Sequence, residues 1–187
     1  MTLTKTPICN FGEKVKNFEL KGVDNRTYKL EDCTGENGLL IMFICNHCPY
    51  VKAVIEDIVS DCKKLLEVGV KTVAIMSNDT KEYPQDSFEN MILFAKKYGI
   101  FFPYLIDVDQ NVAKEFRAVC TPDFFGYNMS LELQYRGRIR ELKNLKPKRE
   151  SDSDLLVAMR TIAKTKKGPV NQIPSMGCSI KWVKKCL

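Results

Sequence analysis

Apolar positions along the chain fall into two kinds of pattern, and their alternation predicts the fold class. Leu39-Leu40-Ile41-Met42-Phe43-Ile44 is a short, nearly continuous apolar run, as expected of a strand covered on both faces of a mostly parallel sheet. Val51, Val54, Ile55, Ile58, Val59, Cys62, Leu65 and Leu66 then recur at three- and four-residue intervals, one apolar stripe along a helix, with Gly69 standing where a C-cap is needed. Val70 to Met76 repeats the buried-strand pattern. Asp86 to Ala95 reads as a second helix running out at Tyr98-Gly99, Phe102 to Ile106 as a strand, and Val112 to Phe116 as a short helix.

Upstream, Glu19-Leu20-Lys21 and Thr27-Tyr28-Lys29-Leu30 flank the turn formers Gly22-Val23-Asp24-Asn25 and predict a hairpin. After Thr121-Pro122 come two antiparallel strands, Phe124 to Met129 and Leu131 to Tyr135. A last amphipathic helix turns Leu155, Leu156, Met159, Ile162 and Ala163 inward, with Asp152, Ser153 and Asp154 supplying its cap. From Gly168 three breakers, Gly168, Pro169 and Pro174, predict a tail without regular structure. Strands alternating with helices imply βαβ crossovers, hence an α/β fold with a central sheet and helices on both faces. No repeat or interdomain linker interrupts the pattern, so the 187 residues are expected to form a single domain, with a core of about 12–167 and a tail at 168–187.

Composition narrows the class further. With 44% hydrophobic and 28% charged residues the chain has globular proportions, and no apolar run approaches the ~18 residues of a membrane span. The segment MTLTKTPICNFGEKV has no basic stretch leading into an apolar core, which points to a cytoplasmic protein rather than a secreted one. The net charge of +6 is lopsided: from Gln134 onward there are 14 Lys+Arg against 4 Asp+Glu. A basic segment of this kind attracts nucleic acid or acidic partners, but its cations are not interleaved with aromatics as single-strand binding requires. A solvated surface is the expectation, with neither nucleic acid nor membrane as a partner.

Eight cysteines are too few for a disulfide-stapled scaffold; their spacing carries the information. Cys45-Asn46-His47-Cys48 sits where a buried strand feeds a helix. Two cysteines three residues apart in a first helical turn meet the Cα separation of a disulfide, so one dithiol can open and close there. Unpaired N–H groups and the helix dipole favour thiolate at such a place, which makes Cys45 the expected activated thiol. His47, the only histidine, lies between the two sulfurs, where a protonated ring would pair with a Cys45 thiolate. Cys45, His47 and Cys48 also make three metal ligands, but a closed zinc site needs a fourth, and no second Cys-x-x-Cys or His pair exists. No metal or cofactor is expected.

Three segments now carry a resemblance spanning nearly the whole chain: Phe43-Ile44-Cys45-Asn46-His47-Cys48-Pro49-Tyr50-Val51, Cys120-Thr121-Pro122-Asp123-Phe124-Phe125 and Gly177-Cys178-Ser179-Ile180-Lys181-Trp182. The chain resembles thioredoxin-like proteins, and among them the peroxiredoxin-like branch related to alkyl hydroperoxide reductase and thiol-specific antioxidant. The resemblance implies a thioredoxin-like fold, Cys45 as the attacking cysteine, Cys48 as the resolving one, and Pro122 as a cis-proline facing the dithiol, leaving the Thr121 backbone free for an extended substrate.

The implied activity is thiol–disulfide exchange on a protein or small thiol compound through a mixed disulfide at Cys45, with a thioredoxin- or glutathione-type reductant. The alternatives are a thiol-dependent peroxidase and a non-catalytic metal-binding module. The chain departs from the pattern in two ways. Leu39 stands where thioredoxins carry a buried carboxylate; and with the peroxiredoxins' peroxide-reducing cysteine aligned on Cys48, Cys45 and Ile41 stand where they carry their Thr or Ser and Pro. Cys178 is a candidate third redox thiol and Trp182 an anchor for the tail. Cys9, Cys33, Cys62 and Cys120 are expected to be packing residues, and Cys186 has no assigned role.

Overall fold

The computed structural model describes residues 3–7 and 10–184, so Cys9 and Cys186 lie outside the described residues. From the N-terminus, β1 (Leu3–Lys5) is followed by the hairpin β2 (Glu19–Gly22) and β3 (Thr27–Lys29), then α1 (Leu30–Cys33). Next come β4 (Gly38–Phe43), α2 (Pro49–Leu66), β5 (Val70–Met76), α3 (Phe88–Tyr98), β6 (Tyr104–Ile106) and α4 (Asn111–Glu115). The C-terminal half adds β7 (Cys120–Thr121), β8 (Asp123–Tyr127), β9 (Leu133–Tyr135), the ribbon β10 (Leu142–Lys143) and β11 (Lys146–Pro147), α5 (Asp154–Thr165) and β12 (Met176–Ser179).

Seven strands form the central sheet in the order β3-β2-β6-β5-β4-β8-β9. β4, β5 and β6 run parallel, with α2 and α3 as crossovers, and the flanking pairs are antiparallel. Every residue of β4 is buried because the strand has cover on both sides. Leu40 and Met42 pack with α2, α3 and α5, while Leu39, Ile41 and Phe43 pack with α1 and α4. This period-2 division is what the apolar run requires. β4 therefore ends as a rigid central strand that aims the following turn at the head of α2.

Local chemistry fixes the helix ends. Pro49 opens α2, where its fixed φ suits the first helical position and its missing N–H leaves no donor stranded. Ser87 caps α3 by accepting the Asn90 N–H at 3.3 Å, and Ser153 caps α5 by accepting the Leu156 N–H at 2.9 Å, each cap contributing about 1 kcal/mol. The second helix thus begins two residues later than the sequence pattern suggests. Pro84–Asp86 form a separate 3-10 turn, and Asp86 faces inward instead of heading the helix.

The tail departs further from expectation. Gly168, Pro169 and Pro174 keep 168–175 irregular, but Met176–Ser179 are a strand, and β12 lies between β1 and β7 in a small antiparallel sheet. Trp182 does not anchor it: the indole is 42% exposed, with the Lys114 ammonium 6.0 Å from its ring centre. The buried Ile180 and bonds to Asn78, Asp79 and Gln110 hold the segment instead.

Much of the excess positive charge is tied to carboxylates. Arg136 meets Asp123, Arg140 and Arg149 share Asp57, Arg138 meets Asp154 and Arg160 meets Asp152. Among the described residues no helix is long and apolar enough to cross a membrane.

Candidate active site

The turn 44–48 joins the end of β4 to α2 and brings Cys45 and Cys48 under the chain segment that precedes β8. The Thr121–Pro122 peptide bond of that segment is cis. Behind it Asp123, fully buried, accepts the Val119 N–H at 3.3 Å and pairs with Arg136 at 2.9 Å, which locks the segment to the sheet. Thr121 touches both sulfurs: its Oγ1 is 3.3 Å from Cys45 Sγ, and its carbonyl oxygen lies 3.1 Å from Cys48 Sγ, where it accepts that thiol's proton while Cys48 is protonated. The two cysteines hydrogen-bond to each other and are almost wholly enclosed, at 1% and 0% exposure.

Their environments are unequal. Cys48, not Cys45, is the N-cap residue of α2. The Cys45 thiol donates to the Cys48 sulfur, and against the cost of burial the Cys178 thiol and the Val51 N–H add their donors, so the Cys48 thiol is pushed down from 9.0 to about 5. Cys45 is raised well above the usual thiol value because its proton is engaged by Cys48, because it is buried and because the Asp86 charge lies nearby. The activated thiol expected at Cys45 is therefore found at Cys48. The hydrogen bond from Cys45 is the largest cause, and the helix adds a smaller one, because α2 starts at Pro49 and its Val51 N–H faces the second cysteine rather than the first.

His47 is likewise turned differently from expectation. Its Nδ1 is 2.6 Å from Asp86 Oδ2 and 4.0 Å from Cys45 Sγ, and its ring stacks on Tyr83 at 9° between planes. The side chain is only 12% exposed. Asp86 also accepts the backbone N–H groups of Asn46, at 2.8 Å, and His47, at 3.2 Å, and the Asn78 amide at 2.8 Å. Each of its four lone-pair positions is thus matched by a donor. Tyr104, fully buried, completes the shell by donating its hydroxyl to Asn46 Oδ1 at 2.9 Å.

Asp86, Asn78 and Tyr104 were not singled out by the sequence. Leu39 packs into the opposite core, and the buried carboxylate beside the turn is Asp86, but an Asp ahead of an amphipathic run reads as a helix cap. The tell-tale is Ser87, the better cap, immediately after it.

Cys178 comes to the same place. It is buried, shares the core cluster of Cys45 and Cys48, and its thiol hydrogen-bonds Cys48. Burial raises Cys178 to about 12, as it raises the packing cysteines Cys33 to about 11, Cys62 to about 12 and Cys120 further; what sets Cys178 apart is its hydrogen bond to Cys48. For a metal, Cys45, His47 and Asp86 bring ligand atoms within 4.8 Å of one another. The Asp86 oxygens are already taken by N–H donors, and three ligands fall short of a closed tetrahedral site.

The fold is thioredoxin-like. The AhpC/TSA family pattern matches residues 11–142, and the chain belongs to that family. It is 37% identical to an uncharacterized conserved protein from Geobacillus kaustophilus, with a TM-score of 0.91 over 100% of this chain and 99% of that one. A hypothetical protein from Sinorhizobium meliloti is 33% identical, with a TM-score of 0.90 over 97% and 100%. The fold alone is shared with a secreted disulfide oxidoreductase of Mycobacterium tuberculosis, 16% identical with a TM-score of 0.54 over 63% of this chain and 80% of that one. No protein of curated function matches the chain.

Proposed function

We propose that this protein is a thiol–disulfide oxidoreductase in which Cys45 and Cys48 exchange electrons with a disulfide substrate. The observation that carries this reading is the geometry: two buried cysteines hydrogen-bonded to each other, both in contact with Thr121, with Cys48 as the N-cap of α2; the downward shift of the Cys48 thiol favours its charge there. The charge serves as an internal base. As Cys45 Sγ attacks a substrate disulfide R–S–S–R′, its proton passes to Cys48, the mixed disulfide Cys45–S–S–R forms, and R′S⁻ leaves. R′S⁻ then takes the proton from Cys48. The regenerated Cys48 thiolate attacks Cys45 Sγ, RS⁻ departs, and a Cys45–Cys48 disulfide remains. No separate carboxylate base is required, which accounts for Leu39. Thr121 orients both sulfurs, and Asp86 holds the turn and the His47 ring beside Cys45.

The test is to oxidise the reduced protein with equimolar diamide and map its disulfides without reduction. A Cys45–Cys48 linkage that equilibrates with a glutathione buffer supports the reading. Failure of the pair to form under mild oxidant overturns it.

A second reading, a thiol peroxidase, is favoured by one observation: Cys48, which corresponds to the family's peroxide-reducing position, is the low-pKa thiol. Its thiolate would take the distal oxygen of ROOH to give Cys48–SOH and RO⁻, and Cys45 would then form the disulfide and release water. Stopped-flow oxidation by hydrogen peroxide separates the two: a rate no faster than that of free cysteine removes the peroxidase.

A further inference from the structure

The C-terminal strand is built into the redox centre rather than hung beside it. β12 pairs antiparallel with β7 so that Cys178 stands opposite Thr121 and Ser179 opposite Cys120, and its other edge carries β1, with Leu3 opposite Cys178. Thr121 is the residue that touches both sulfurs of the pair, so the register delivers Cys178 to them. The approach is close. A Cβ on Gly177 would lie 2.1 Å from the Thr121 carbonyl oxygen, so only glycine lets the strand sit at this distance. On one side Ser175 Oγ donates to the Pro122 carbonyl at 2.7 Å, and on the other the Lys181 N–H donates to Asn78 Oδ1 at 2.9 Å. Asn78 is also a donor to Asp86, so the strand is tied to the same hydrogen-bond shell that holds His47.

Three thiols therefore form a row, Cys45, Cys48 and Cys178, with Cys48 in the middle. We propose that Cys178 is a third member of the redox centre, an internal partner that takes Cys48 over from Cys45. This rests on the reading that Cys45 and Cys48 form a disulfide. In the exchange the Cys178 sulfur attacks Cys48 Sγ, the Cys48–Cys178 bond forms, the Cys45–Cys48 bond breaks, and the proton of Cys178 passes to the departing Cys45 sulfur. No net oxidation occurs and no co-reactant is needed. In the reduced protein burial, and after it the hydrogen bond to Cys48 and that neighbour's charge, push the Cys178 thiol up to about 12. A Cys48 locked in a disulfide carries no charge, so that second restraint is lifted only in the oxidised protein. The same strand covers the Thr121 backbone, the edge where an extended substrate would pair, so the internal thiol and a polypeptide substrate compete for one place.

The experiment uses the full chain and its Cys45→Ser variant, each treated with equimolar diamide in about 0.1 mM glutathione and mapped by mass spectrometry without reduction. An internal thiol acts at an effective concentration of millimolar or more. Cys45→Ser should therefore accumulate an intramolecular Cys48–Cys178 disulfide, with less than about a tenth of Cys48 diverted to glutathione. The double variant Cys45→Ser, Cys178→Ser should send most of it there.

A Cys48 recovered as thiol, as glutathione adduct or as an intermolecular disulfide, with Cys178 still alkylatable, overturns the proposal. Thermal melts confirm that each variant is folded, and Cys45→Ala serves as the second variant. The Cys178→Ser variant tests the underlying dithiol reading separately: its Cys45 and Cys48 should join under the same oxidant, and their failure to do so would overturn that reading, whatever Cys178 does.

Discussion

Cys48 and Cys62 lie on the same helix, one as the N-cap of α2 and the other on its buried face, and both are closed off from water. Their acidities nevertheless diverge, to about 5 and about 12. Burial is common to both and raises each, since it penalises the charged form. What separates them is supply of donors. Cys48 has two neighbouring thiols and the Val51 N–H aimed at its sulfur, whereas Cys62 meets only the Thr72 hydroxyl and the unfavourable charge of Asp61. A buried thiol thus becomes a reagent through its hydrogen-bond shell, not through its position on a helix alone.

The largest effects should come from removing one side of that contrast. Cys45→Ser and Cys48→Ser are each expected to lower turnover of a model aryl disulfide by on the order of a thousandfold or more. Cys62→Ala, remote from the pair, should stay within about twofold. Equal losses in all three would mean that the contrast has no chemical content. Next, titrating thiolate absorbance in the reduced protein should reveal one group with a midpoint near 5. That step should vanish in Cys48→Ser and persist in Cys62→Ala.

The same contrast shows how far the sequence could be read. The apolar run 39–44 and the stripe from Val51 to Leu66 placed β4 and α2, and with them the Cys-x-x-Cys turn, because both patterns are set by local period. The identity of the acidic sulfur was not legible, since it depends on where the first helical N–H groups point and on a thiol 130 residues downstream in β12. Asp86 was hidden for a related reason. It reaches His47 only through the fold, and its sequence neighbourhood reads as a helix start. The tail strand escaped notice because Met176–Ser179 is too short and too mixed to show a period, and its partners β1 and β7 lie at distant points of the chain.

Asp86 offers the intermediate test. Asp86→Asn keeps the shape but sets an amide nitrogen against donors, and losing a charged hydrogen bond costs about 1.5–3 kcal/mol. Applied to the attack geometry, this is about a ten- to hundredfold fall in the rate of disulfide reduction. A purely structural role would stop there. Because the Asp86 charge helps to raise Cys45, the variant should also bring the second thiolate step of the pair to lower pH, while the first step at Cys48 stays in place. An unchanged second step would show that Asp86 acts on the turn alone.

The smallest effect is in stability, and its sign follows from the two shifts. Cys48 is depressed on folding, from 9.0 to about 5, so its contribution is complete above pH 9, shrinks as pH falls and is gone below 5. Cys62 is raised, from 9.0 to about 12, so its contribution is complete below pH 9 and is lost only as pH climbs toward 12. Between pH 5 and pH 8 the thermal midpoint of the unmodified protein should therefore draw steadily away from that of Cys48→Ala. The gap to Cys62→Ala should stay level over the same range and change only in alkali. Comparing each variant with the parent cancels the other buried acids, Asp61, Asp107 and Asp123, which titrate alike in all three proteins. A level gap for Cys48→Ala would mean that the thiolate at the head of α2 is no more stable in the fold than out of it, and the internal base of the proposed mechanism would be lost with it.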